Sequence, residues 1–363
     1  MSAEPATPAR QVSTWLVPML AWLVLALHWI VGANVIVDSV ACVVLIATVF
    51  AAVYHAEVIA HWLGEPLGTL VLAVAVTVIE VALIVSMMIA GGPDTAVLAR
   101  DTVFAAVMII CNGIIGLCLL AGGMRHHEQD FRVQGASAAL AVLATLTVLT
   151  LVLPNVTTST PGPSFSPLQL IFAGAVSLIL YGAFIFVQTV RHRDYFLPVD
   201  AGNTEAHAPR PDTRTAVMSL LLLSVALVAI VGIAKSLTPA LESGISRAGV
   251  PKPVVGIVIA AVVLLPEALA SFRAARLNRL QTSMNLALGS ALCSIGLTIP
   301  AVAGISVVLG RPLTLGLDPK SEILLALTLL LCVITLGTGR TTVLQGIVHL
   351  VNFAAFLFLA MVP

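Results

Sequence analysis

Eleven apolar runs, most of 18 residues or more, recur along this chain, and that repetition limits what it can fold into. A run of ~20 residues rising 1.5 Å each crosses a ~30 Å hydrocarbon core. Inside lipid every backbone polar group needs an internal partner, which leaves helices or closed barrels. A barrel would show short segments of alternating polarity, and none is present. The expected class is therefore an all-α membrane protein. Composition agrees: 9% of residues are charged, against ~25% in soluble domains, and mean hydropathy is +1.09. Lys+Arg and Asp+Glu balance at 17 each, so no basic face argues for a nucleic-acid partner. The five cysteines (Cys42, Cys111, Cys118, Cys293, Cys332) fall inside apolar runs, as small buried hydrophobes rather than a disulfide framework or metal cage. The first residues carry neither an Arg-rich start nor an A-x-A site, so the first run reads as a retained helix.

The spans are expected near 15–31, 35–54, 66–90, 101–121, 135–153, 168–189, 216–234, 253–272, 282–309, 321–336 and 341–361. The longest polar stretch, 191–215, reads as a cytoplasmic linker. If the N-terminus is inside, eleven cations fall on the cytoplasmic side and six opposite, a bias that the positive-inside rule translates into orientation. The C-terminus is then outside. Setting the first span apart leaves two groups of five, and an odd repeat unit forces the second copy to enter the membrane inverted. The expected organisation is a tail (1–14), an extra first helix (15–31), a first five-helix repeat (32–190), the linker (191–215) and a second five-helix repeat (216–363). Asp101–Leu117 aligns without a gap on Gln281–Leu297.

Most of the seventeen acidic residues lie in loops or at helix ends, and two stand further inside their spans. Glu80 lies in Val76-Thr77-Val78-Ile79-Glu80-Val81, and Glu267 in Leu264-Leu265-Pro266-Glu267-Ala268. Each is on the second helix of its group. A charged carboxylate at mid-bilayer costs ~2.5 kcal/mol or more, so it must be paired, protonated or bound to a cation. No Lys or Arg is expected at comparable depth. Neutralisation then falls to a proton or a mobile cation, and competition between the two is what a cation/proton antiporter requires. Each glutamate alone also suits a protonated packing residue; their matched positions argue against that. Two neighbouring carboxylates would titrate as a unit.

The neighbours suit a hard cation, which takes carboxylate, amide and main-chain oxygens. Thr77 lies one turn before Glu80; Asn112, Asn285, Ser290 and Ser294 add oxygens inside apolar helices. Each of these also suits helix packing, since such residues bond across membrane helices. Pro266 removes one backbone donor and frees the carbonyl a turn earlier. Tyr54 through His61 reads as an amphipathic turn at the membrane interface. His28 and His349 read as buried packing residues without partners visible in sequence.

The run from Pro266 to Ala275, continuing to Asn285-Leu286-Ala287-Leu288-Gly289-Ser290, resembles the second alpha-repeat of the calcium/cation antiporter superfamily. Gly64 to Thr69, leading to Glu80, and the stretch around Cys111-Asn112-Gly113 resemble the first. The branch it most resembles is that of the bacterial calcium(sodium)/proton antiporters, related to the vacuolar cation/proton exchangers. The resemblance implies that Glu80 and Glu267 form the cation- and proton-binding pair, that Asn112 and Ser290 lie near them, and that access alternates as spans 2 and 7 move past a fixed core. Two departures are visible. The Gly-Asn that precedes the exchangers' glutamates is replaced by Thr77-Val78-Ile79 and Leu264-Leu265-Pro266. The acidic helix that joins the halves of many relatives is replaced by a linker of mixed charge.

The expected function is exchange of Ca2+, with Na+ as a further substrate, for protons across the bacterial cytoplasmic membrane; Na+ or K+ exchange with calcium incidental is the alternative. No enzyme activity and no resident cofactor are expected. Partners are inorganic cations, protons and the bilayer, and the sequence leaves the oligomeric state open. A channel would show a filter loop, and an intramembrane protease would need a Ser–His or aspartate pair; neither pattern is here.

Overall fold

The computed structural model describes residues 8–32, 34–64, 67–90, 96–197, 211–249, 251, 253–310 and 313–362. Eleven helices run through them: α1 (Pro8–Val31), α2 (Val35–Leu63), α3 (Leu67–Ala90), α4 (Leu98–His126), α5 (Val133–Asn155), α6 (Pro167–Arg191), α7 (Thr213–Ala248), α8 (Pro253–Arg276), α9 (Leu280–Leu309), α10 (Pro319–Leu336) and α11 (Val343–Met361). Ten contain a segment long and apolar enough to cross a membrane. The other, α3, shows the shorter apolar stretch Val74–Ser86 among its described residues.

The helices gather into two compact units. The first covers Met1–Gly92 and Gly202–Val250, and thus α1, α2, α3 and α7. Ala21, Val24 and Leu25 of α1, Ala41 and Val44 of α2, and Ala229, Ile233 and Leu237 of α7 form its core. Two spans run further than their apolar runs. Helix α2 continues to Leu63, so Tyr54–His61 is helix rather than an interfacial turn. The reason is His55, which is buried: its Nε2 lies 3.2 Å from the Thr14 carbonyl and its Nδ1 3.4 Å from Ser219 Oγ. Helix α7 continues to Ala248 through Pro239. His28 also gains a partner, Asp38, with Nδ1 3.3 Å from Oδ1. At the start of α7 Thr215 donates to Asp212 from its amide and its hydroxyl, which holds that carboxyl below the usual range.

The second unit covers Pro93–Ala201 and Pro251–Pro363, and its pairings carry the signature of an inverted repeat. Helix α4, third of the first half, packs against α11, fifth of the second; α9, third of the second half, packs against α6, fifth of the first. The connections repeat the exchange. Gln129–Asp130, after α4, forms a short antiparallel ladder with Arg340–Thr341, before α11. Ser164, before α6, bridges Thr314, after α9. Both fifth helices begin with a capping box, Ser166 with Gln169 and Thr342 with Gln345, which satisfies end donors that the helix cannot. The aligned pair Gly116 and Gly296 each sit at such a crossing. A Cβ at Gly116 would meet His349 at 3.1 Å, and one at Gly296 would meet Tyr181 at 2.9 Å. Small residues at crossings let membrane helices approach closely.

These pairings sort the loops of the second unit between two ends. At one end His126 contacts the Arg276 carbonyl, Gln129 donates to the Ala275 carbonyl, and the Arg132 amide donates to Gln281. Arg125, Arg132, Arg273, Arg276, Arg279 and Arg340 therefore collect at that end. At the other, Arg100 pairs with Asp101 at 2.8 Å and donates to the Gly316 carbonyl.

Candidate functional site

Glu80 stands at the middle of Val74–Ser86 on α3 and is 4% exposed. Thr77, one turn earlier, and Leu83 and Ile84, one turn later, share its buried side, while Val74 and Val78 are exposed. The helix packs on α2 and α7 within the first unit. Val, Ile and Leu around Glu80 give the carboxylate a largely apolar setting.

Glu267 lies on α8 in the second unit, half-buried between exposed Leu265 and Leu269. The helix runs through Pro266 without a break. Proline there leaves the Val262 carbonyl without its usual helical donor. Helix α8 lies against both α4 and α9. Gly256 sets its first turns: a Cβ there would stand 2.8 Å from the Asp101 carbonyl carbon and 2.9 Å from the Thr102 nitrogen. Only glycine tolerates so close a backbone approach.

Asn112 is fully buried at the centre of a wider π-helical turn, Ile109–Ile114, in α4. Such turns occur often at functional sites, and α8 packs along this one. The Asn112 amide donates to Thr328 Oγ1 at 2.9 Å and accepts from Asn352 Nδ2 at 3.1 Å. Ser290 and Ser294 lie one turn apart on α9, the first half-buried and the second buried. Asn285 sits nearer the Arg-rich end: its Nδ2 donates to the Phe196 carbonyl at 2.6 Å and its Oδ1 accepts from Gln281 at 2.9 Å. Its nitrogen thus fastens the turn Arg193–Phe196 to α9, and its oxygen is engaged within α9. Glu80 and Thr77 belong to the first unit, and Glu267, Asn112, Asn285, Ser290 and Ser294 to the second. Gly64-Glu65-Pro66 lies largely outside the described residues.

Thr328 and Asn352 are the polar residues that the sequence reading passed over. Asn352, an amide within the apolar run Leu350-Val351-Asn352-Phe353, carried a legible signal; Thr328 did not. His349 is buried, with Nε2 2.9 Å from Thr335 Oγ1, in keeping with its reading as a packing histidine.

The model of the sodium/calcium exchanger protein family matches residues 33–190 and 218–362, starting beyond α1 and breaking across the linker. Among known proteins, a candidate ionic transporter of Sinorhizobium fredii, y4hA, is 51% identical over 354 residues, 96% of each chain. The sodium-potassium/proton antiporter ChaA of Escherichia coli is 32% identical over 366 residues, 98% of each chain. Among solved structures, native YfkE matches with a TM-score of 0.74 at 17% identity, covering 97% of this chain and 99% of its own, a likeness of fold. This multi-pass, all-α membrane protein with two inverted five-helix repeats and an extra first helix belongs to the sodium/calcium exchanger protein family.

Proposed function

We propose that this protein is a secondary antiporter that exchanges Ca2+, with Na+ as a further substrate, for protons across the bacterial cytoplasmic membrane. The observation that carries the reading is one carboxylate on the second helix of each half, Glu80 and Glu267, each in an apolar sequence setting. Their pairing rests on those equivalent places in the two halves. Two ionised carboxylates match one divalent ion, and two protons neutralise the same pair. Either loaded state lowers the cost of crossing a low-dielectric barrier, while the empty, doubly charged site does not. Exchange is therefore obligatory. Asn112 and Ser290 would stand beside the pair, Ser290 adding a neutral oxygen of the kind calcium takes, with Thr77, Asn285 and Ser294 as further candidates. In the mechanism, α2 and α7, which lead the two halves and pack together, gate access from alternate sides. The Arg-rich end of the second unit faces the cytoplasm, with the N-terminus inside and the C-terminus outside. The repeats correspond to residues 32–190 and 216–363.

A second reading, Na+ or K+ for protons with calcium incidental, is favoured by the name of the Escherichia coli relative. Proton flux in everted vesicles, with calcium, sodium and potassium offered separately, separates the two. Calcium-evoked proton release supports the first; release by sodium or potassium alone selects the second. No release with any cation rejects antiport.

A further inference from the structure

The polar cluster on α4, α10 and α11 has an orientation that its own hydrogen bonds fix. Thr328 Oγ1 donates to the Leu324 carbonyl at 2.7 Å, as a helical threonine does. Its single hydrogen being committed there, the hydroxyl can only accept from its other neighbours. Besides Met108 Sδ, a weak acceptor at 3.3 Å, those are the Nδ2 atoms of Asn112, at 2.9 Å, and of Asn352, at 3.0 Å. Both amides must therefore turn their NH2 groups toward Thr328. Asn352 places its second hydrogen on Asn112 Oδ1 at 3.1 Å. A flipped Asn352 would set oxygen against the Thr328 lone pairs and lose both bonds, so this assignment follows from the network itself.

One acceptor is left over. The Asn112 oxygen is occupied and both Asn352 hydrogens are used, yet Asn352 Oδ1 has no donor among the described residues. Asn352 is only 5% exposed. A buried amide oxygen without a partner is costly and needs a donor or a cation. We infer that Asn352 Oδ1 is a ligand for the transported cation, held in place by Thr328 and Asn112. The inference rests on the exchange reading above and deepens it, assigning α11 a direct part in handling a hard, oxygen-seeking ion. Amide carbonyl oxygens serve calcium and sodium in this way. The arrangement also gives Asn112 a different part from its neighbour: its own oxygen is engaged, and it acts by positioning Asn352.

The test compares Asn352→Ala, Asn352→Asp and Thr328→Val in proteoliposomes, reading half-saturating cation concentration and maximal proton flux separately. Asn352→Ala should raise the half-saturating calcium concentration about tenfold, the equivalent of ~1.4 kcal/mol, with maximal flux within about twofold. Asn352→Asp should shift preference toward calcium over sodium, since a carboxylate favours the higher charge. Thr328→Val, which keeps shape and removes the acceptor, should raise half-saturation in the same direction as the alanine variant. Half-saturation and cation preference unchanged in all three overturn the inference, as does a fall in flux alone, the result a packing role would give. Should Asn352→Ala not accumulate, Asn352→Asp and Thr328→Val decide alone by the same criteria. If the unaltered protein moves no protons with any cation, the exchange reading fails. Calcium binding to the purified protein then tests the ligand: binding equal in unaltered protein and Thr328→Val overturns it.

Discussion

A single methyl group added at Gly346 perturbs the seam between α4 and α11 in a way the structure lets one size. A Cβ there would stand 2.5 Å from the Leu120 nitrogen, 2.9 Å from the Leu120 Cα and 2.9 Å from the Gly116 carbonyl oxygen. All three are backbone atoms, and ordinary contact begins near 3.4 Å, so the helices must part by about 1 Å. The Asn352–Asn112 hydrogen bond, 3.1 Å long, crosses the same seam. A parting of about 1 Å carries it beyond hydrogen-bonding range. Overpacking costs roughly 1–3 kcal/mol, and the broken buried bond about 1 kcal/mol. The better helix propensity of alanine offsets about 1 kcal/mol, leaving a net loss of roughly 1–3 kcal/mol. At ~2–4 °C per kcal/mol for a large chain, Gly346→Ala should melt roughly 2–12 °C below the unaltered protein. Size-exclusion chromatography of detergent-solubilised protein after stepwise heating reads the difference. Gly304→Ala on α9, where a Cβ would meet nothing within 4 Å, is the control and should not lower the midpoint. A Gly346→Ala midpoint equal to that of the unaltered protein would refute the argument from close approach.

Glu80→Gln and Glu267→Gln keep side-chain size and remove the titratable charge, so each should insert normally and lose cation-evoked proton flux. Normal exchange by either well-expressed variant contradicts a shared site. Asn112→Ala and Ser290→Ala should raise half-saturating cation concentration several-fold while retaining turnover, the first because it frees Asn352 and the second because a neutral oxygen ligand contributes less than the carboxylates; unchanged values in both return them to packing. Reporter fusions after Asp200 and at the C-terminus should report opposite sides of the membrane, and the same side would break the inverted topology.

Much of the architecture was readable because lipid imposes a simple rule: long apolar runs become helices. Errors arose where that rule does not reach. Helix α2 outruns its apolar stretch because His55, polar by type, finds Thr14 and Ser219 and stays buried. Helix α7 runs on past Lys235 because Leu237, Ala240, Leu241 and Glu242 favour helix, and Pro239 did not end it. The glutamates stood out as charges in apolar runs. The Asn112–Thr328–Asn352 cluster did not, since its members lie 216 and 24 residues apart and nothing local links them. The partner of His28 was hidden for a similar reason: Asp38 lies on the next helix and meets it only after the turn between α1 and α2.

The central claim is that protons and a cation compete for the same pair of carboxylates, and proton release on binding tests it without requiring transport. Purified protein in weakly buffered detergent solution near pH 7.5 is titrated with calcium while pH and bound calcium are followed together. About two protons should leave per calcium bound as the coupled pair exchanges one load for the other, and release should fall as pH rises through the pair's titration range. Glu80→Gln and Glu267→Gln should each abolish the coupled release. Calcium binding that releases no protons at any pH from about 6.5 to 9, or release that survives in both glutamine variants, would contradict the account.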